Sequence, residues 1–126
     1  MSNKIPSSNK KAYDLVERTA GFGEAVIVFA QTLEKNVINL PLISQIIRAA
    51  TSIGANYMEA DAAESKKDFE HKIGIARKEA KETMHWLRML AKANPAHQQQ
   101  CRILWKESQE LVFIFSSILN GSRSKK

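Results

Sequence analysis

Two segments place a carboxylate and an imidazole one helical turn apart: Glu82-Thr-Met-His85 and Asp68-Phe-Glu-His71. Bundles that hold two metal ions take Glu-x-x-His from two helices and single glutamates from the other two. Here both segments fall on one uninterrupted helical stretch, about 20 Å apart at the α-helical rise, so within one chain they cannot face each other. A metal-dependent enzyme would instead need Glu79, Glu82 and His85 to converge at a junction between subunits. Cys101, the single cysteine, would need an adjacent base or a helix start to become a nucleophile, and only His97 lies near it in sequence. Helical ribonucleases that set arginine four to six positions before a histidine pair a cation with a general base. His85 has Glu79 and Lys81 in that window, and His97 has Lys92 and Ala93. No catalytic residue, metal ligand or cofactor is therefore expected, and Cys101 reads as a core filler.

The elements that would position these residues are long helices. Prolines stand only at 6, 41 and 95, and glycine is scarce, so positions 42–94 hold no proline breaker. Leu15, Phe22, Val26, Phe29 and Leu33 form the stripe of a first helix ending near Lys35. Asn39 is placed to cap a second helix with Pro41 in its first turn, burying Ile43, Ile46, Ile47, Ala50, Ile53 and Tyr57 and reaching about Ala63. Ser65 with Asp68 resembles a capping box for a third, along Phe69, Ile73, Ala76, Ala80, Thr83, Leu87 and Leu90. Asn94 and Pro95 open a fourth, lined by Leu104, Leu111, Ile114 and Ile118 and stopped by Asn120-Gly121. No segment alternates like a strand. The expected fold is all-α, an up-down-up-down antiparallel four-helix bundle over residues 12–121 between basic tails at 1–11 and 122–126.

At 126 residues, with 44% hydrophobic and 25% charged residues, the chain suits one globular domain and not a disordered, collagenous or disulfide-built class. Its apolar runs, such as residues 25–30, fall far short of the roughly 18 needed to span a bilayer. No signal-type segment follows Lys4, and one cysteine cannot form an internal disulfide, so a cytoplasmic location without membrane contact is expected. The net charge of +6 resides in the tails, at Lys4, Lys10, Lys11, Arg123, Lys125 and Lys126. Between them the signs separate, with −4 over residues 12–64 and +4 over residues 65–93. A basic face on the third helix, with the tails, is the candidate surface for a polyanion: Lys10, Lys11, Lys66, Lys67, Arg77, Lys78, Lys81, Arg88, Arg123, Lys125 and Lys126. Against it, Glu70, Glu79 and Glu82 interleave with those cations at i,i+4 spacing, as on an ordinary solvated helix. Trp86 and Trp105 lie at apolar helical spacing and read as core or interface, not as platforms for bases.

In a hairpin of the second and third helices turning near residue 64, Arg48 falls beside Glu79 and Asn56 beside Lys72. A polar layer of Arg48, Asn56, Glu59, Lys72 and Glu79 is expected there, with Arg48 and Glu79 a largely desolvated pair that sets register. The third helix also carries a second apolar row, Ile75, Trp86 and Met89, and the fourth carries Phe113 beside Ile114. One bundle does not need that surface, so Ile75, Glu82, Trp86, Met89 and Phe113 are the expected contact between copies.

Thr51-Ser-Ile-Gly-Ala-Asn-Tyr-Met-Glu-Ala60, Glu64-Ser-Lys-Lys-Asp-Phe69 and Ile75-Ala-Arg-Lys-Glu-Ala-Lys-Glu-Thr-Met-His-Trp-Leu87 together resemble the four-helix-bundle proteins encoded in intervening sequences of bacterial 23S ribosomal RNA genes. The resemblance spans residues 14–120; the accessory variability proteins of retroelements are a related branch, and no residue places this chain in it. It implies a left-handed antiparallel bundle that assembles into a ring, typically a homopentamer, with no established catalytic activity and with a suspected nucleic-acid role. Ser52, Gly54, Asn56, Tyr57, Glu59, Phe69, Lys78, Glu79, Glu82, Thr83 and Trp86 occupy its recurring positions, whose meaning is mainly architectural; the tails are unmatched. The expectation is a non-catalytic, ring-forming adaptor with itself, RNA and a protein as candidate partners. A pure interaction scaffold without nucleic-acid affinity is the alternative.

Overall fold

The computed structural model describes residues 10–124, with side chains from Leu15 onward. Four helices follow in order: α1 Lys10–Thr32, α2 Asn39–Asp61, α3 Lys66–Ala93 and α4 Gln98–Ser124, the last preceded by one 3₁₀ turn at Pro95–His97. Among the described residues there is no strand, and no helix is long and apolar enough to cross a membrane. Cross-helix contacts rise in number on one helix as they fall on the next. Gly54 faces Thr19 while Gly23 faces Thr51; Arg48 meets Glu79 while Glu59 meets Lys72; Arg77 meets Ser116 while Glu70 meets Ser122. Successive helices are therefore antiparallel, and the architecture is a four-helix bundle.

Its core is the meeting of the four apolar stripes. Phe22, Val26 and Phe29 of α1 pack with Ile46, Ile53 and Tyr57 of α2, with Ile73, Leu87 and Leu90 of α3, and with Leu104, Leu111 and Phe115 of α4. The buried row of α4 runs through Leu104, Ser108, Leu111, Phe115 and Leu119, while Ile114 and Ile118, expected in it, are half-buried. Steps of four, three, four and four keep that row on one face, and Ile114 and Ile118, each one position before a member of it, lie at its edge. Ser108 is fully buried and its hydroxyl has no hydrogen-bond partner among the described residues.

The ends of the helices show how local chemistry sets their limits. α1 stops at Thr32, three residues before the expected end, because Lys35 folds back and donates to the carbonyls of Leu33 at 2.7 Å and Ala30 at 3.2 Å. Such donors satisfy the orphan carbonyls of a last turn. The start of α2 is capped by Asn36 instead of Asn39: its Oδ1 accepts from the amides of Ile38 and Asn39 at 3.1 and 2.7 Å. Asn39 is freed for a longer reach. Its buried amide donates to Glu34 O and to Asn94 Oδ1, while the Asn94 amide donates back to Asn39 Oδ1 and to Leu90 O, all within 2.8–2.9 Å. All four amide hydrogens are thereby used, and the α1–α2 and α3–α4 turns are fastened together. Asn94 consequently makes no side-chain cap for the helix that follows. Ser65 does cap α3, accepting from the Asp68 amide at 3.0 Å. α4 continues through Asn120-Gly121 to Ser124, which puts Arg123 on the helix; α1 begins at Lys10.

α1 sits close to α2 because Gly23 and Gly54 lie between them. A Cβ on Gly54 would stand 3.3 Å from the Thr19 hydroxyl and 3.4 Å from that residue's backbone carbon. α1 meets α4 far more sparsely, with a two-pronged ion pair from Arg18 to Glu107 at 2.7 and 2.9 Å spanning the seam.

Candidate nucleic-acid interface

The acids and bases that alternate along α3 are sorted in space. Arg48 of α2 reaches both Glu79, at 3.3 Å, and Glu82. Glu82 also accepts from the Trp86 indole N–H at 3.1 Å. Lys72 pairs with Glu59 at 2.7 Å, and that hydrogen bond and charge raise its pKa. The expected polar layer is thus assembled, with two corrections. Lys72 meets Glu59 and not Asn56, whose amide bonds back to Ser52 O at 2.9 Å. The Arg48–Glu79 pair is desolvated on one side only, since the Glu79 side chain is 10% exposed and that of Arg48 is 48% exposed.

With Glu79 and Glu82 turned toward α2 and Glu70 accepting from Ser122 at 2.7 Å, the outer face of α3 is left to lysines, Arg88 and two histidines. Lys67, His71, Lys78, Lys81, His85, Arg88 and Lys92 are all exposed. At 100° per residue they occupy about 100° of arc. Among the described residues none of its lysines, nor Arg88, has an ion-pair partner. The i,i+4 pair Lys78–Glu82, expected from spacing, is not made, because Arg48 holds Glu82. Lys66 is exposed but engaged, and Arg77 is half-buried, donating to Ser116 at 3.3 Å. Arg123 is exposed at the far end of α4. Lys125 and Lys126, with the side chains of Lys10 and Lys11, lie outside the described residues.

Beside this stripe, a groove of about 630 Å³ runs between the C-terminal half of α3 and the start of α4. Arg88 and Ala91 form one wall; Cys101, Arg102, Trp105 and Lys106 form the other. Sequence reading passed over Arg102 and Lys106, although their placement one turn apart around Trp105 was visible; the register of α4 against α3 was not. Burial pushes the Cys101 thiol up to about 11, so near neutral pH it is no nucleophile. His85 is exposed with its ring edge-on to Trp86 at 4.8 Å. Among the described residues no three His, Cys, Asp or Glu side chains gather where they could hold a metal ion.

Of the expected contact residues, Ile75, Trp86 and Met89 are half-buried within the chain, Trp86 packing on the core, and only Phe113, at 56%, is well exposed. Exposed apolar side chains stand instead at Ile27 and Val28 on α1, Val37, Ile38 and Leu40 at the first turn, Met58 on α2 and Ile103 on α4. Ile27 and Met58 rim a shallow furrow whose floor is the close α1–α2 approach at Gly23 and Gly54.

Residues 11–117 match the family described as 23S rRNA-intervening sequence protein. The chain belongs to that family. A solved member of the S23 ribosomal protein family, a protein of unknown function from Bacteroides thetaiotaomicron VPI-5482, superposes with a TM-score of 0.77 at 31% identity. The alignment covers 83% of this chain and 97% of that one. No curated protein matches. The matched span takes in nearly all of the bundle, so α3 with its cationic stripe lies wholly within the family region.

Proposed function

We propose that this chain is a non-catalytic helical adaptor that binds RNA along the outer face of α3 and works in the cytoplasm as a ring of identical copies. The carrying observation is charge sorting: one arginine on α2 draws Glu79 and Glu82 away, leaving Lys67, Lys78, Lys81, Arg88 and Lys92 together and without ion-pair partners among the described residues. Such a stripe attracts phosphates and releases condensed counterions on binding. Isolated single-helix contacts are weak, and several copies presenting the same stripe multiply them. The exposed apolar side chains on α1, α2 and α4 supply surface for copies to share, and resemblance to the family favours five. The family's description connects it with 23S rRNA, which makes RNA the polyanion to test.

The test is fluorescence anisotropy of labelled RNA, one hairpin and one single strand, titrated at salt from 50 to 300 mM, on the order of the range over which phosphate contacts lose their affinity. Lys78→Glu with Lys81→Glu is expected to lower affinity at least tenfold and to flatten the slope of log Kd against log salt. Light scattering on the same samples is expected to give a single assembled species. Binding that ignores salt, or survives the double charge reversal intact, overturns the reading; no affinity at any salt leaves the chain an interaction scaffold.

A further inference from the structure

From the α3–α4 groove we infer that the protein holds a discrete site for one unpaired nucleotide, its base laid on Trp105 and its phosphate between Arg88, Arg102 and Lys106. The inference rests on the RNA-binding reading and gives it a preference for single strands. The two tryptophans differ in the way the site requires. Trp86 spends its indole N–H on Glu82 and meets His85 edge-on. Trp105 is half-buried, packs on the core, and has no hydrogen-bond partner for its N–H among the described residues. Around it stand three cations without ion-pair partners among the described residues, Arg102 and Lys106 on its own helix and Arg88 across the groove, and no described carboxylate lines the cleft. Ala91 and the neutral Cys101 thiol make part of the lining apolar.

Each part excludes a simpler ligand. A free inorganic anion has no use for an indole surface, and a purely apolar ligand has no use for three unpaired cations. A base-paired strand keeps its base faces stacked inside the helix, whereas an unpaired base offers a π-face to an aromatic ring. The groove volume of about 630 Å³ lies within the range of small-ligand sites. The cationic stripe of α3 leads to its mouth through Arg88, so a strand captured along α3 is delivered to Trp105.

The experiment uses the full chain with Trp86→Phe, which makes Trp105 its only tryptophan. Octa-uridylate and a self-complementary eight-base-pair RNA are titrated in turn. Octa-uridylate is expected to quench the Trp105 emission saturably, and the duplex to bind without that quench. Trp105→Leu, which keeps the apolar packing, is expected to weaken single-strand binding at least fivefold in anisotropy while leaving duplex affinity within twofold, in keeping with the usual worth of one base stacked on an aromatic ring. Arg102→Gln, an exposed change that leaves the fold intact, is expected to weaken quenching by octa-uridylate severalfold. Emission that stays unmoved while RNA binds, or equal losses for both RNAs on Trp105→Leu, overturns the groove site and leaves the α3 stripe standing. Failure of the parent chain to bind either RNA overturns both.

Discussion

Replacing Arg48 by alanine removes a cation that faces two carboxylates of α3. At the observed 3.3 Å, the attraction between unit charges is about 1.3 kcal/mol in a water-like medium and about 5 kcal/mol at the effective dielectric of a protein surface. Neither limit applies alone. The Glu79 side chain is nine-tenths buried, while half of Arg48 is wet. Orphaning one member of a fully buried pair costs about 3–5 kcal/mol, and an exposed pair contributes about 0–1 kcal/mol. Arg48→Ala is accordingly expected to lower unfolding free energy by about 2 kcal/mol. Glu79→Gln in the same background removes the stranded charge and is expected to restore about half of the loss. The measurement is urea unfolding followed by circular dichroism for the parent, both single variants and the double, at one fixed protein concentration, since the stability of any chain that associates depends on concentration. A loss below about 0.5 kcal/mol, together with a coupling energy indistinguishable from zero, would refute the account of a register-setting pair.

Asn39→Ala leaves the Asn94 amide without its reciprocal partner in a buried setting, and about 2 kcal/mol of stability should go with it; an unchanged midpoint in thermal unfolding would contradict the role given to this fastening. Ser108→Ala deletes a buried hydroxyl without a hydrogen-bond partner among the described residues and should raise stability by about 1 kcal/mol in urea titration, whereas a decrease would mean that the hydroxyl has a partner. The Cys101 thiol is pushed from 9.0 to about 11 by burial, so between those values the unfolded chain holds fewer protons than the folded one and stability falls as pH rises from 9 to 11. Iodoacetamide at pH 8 should therefore label the folded chain about 100-fold more slowly than the urea-denatured chain, and Cys101→Ala should flatten that stretch of the stability profile. Equal labelling rates would remove the physical basis of the argument.

The bundle was legible in the sequence because its signals were local. Sparse proline and glycine, Ser65 three residues before Asp68, and unbroken apolar periodicity each act within a turn or two. The Arg48–Glu79 pairing was reachable as well, since one short turn fixes how α2 and α3 slide against each other. What escaped depended on distances finer than helical register. Lys72 has Asn56 and Glu59 within one turn on the facing helix, and charge attraction decided for Glu59. Asn39 looked like a cap because its type and position suit one, yet Asn36 lay closer to the free amides, and the larger contribution of Asn39 is to join the α1–α2 turn to the α3–α4 turn. The groove at Trp105 required knowing which residues of α4 face Arg88 across a junction that begins with a 3₁₀ turn, and spacing along one helix does not contain that information.

The thin seam between α1 and α4 bears on how the molecule comes to exist. Nearly all of its extensive contacts join helices that are neighbours along the chain, α1 with α2, α2 with α3 and α3 with α4, while the meeting of the first helix with the last is slight. A topology of nearest neighbours has low contact order and folds quickly, because little loop entropy is lost before contacts reward it. An emerging chain can therefore dock α1 on α2 and then α3 on α2 while α4 is still being synthesised, with only the slight α1–α4 seam left to close.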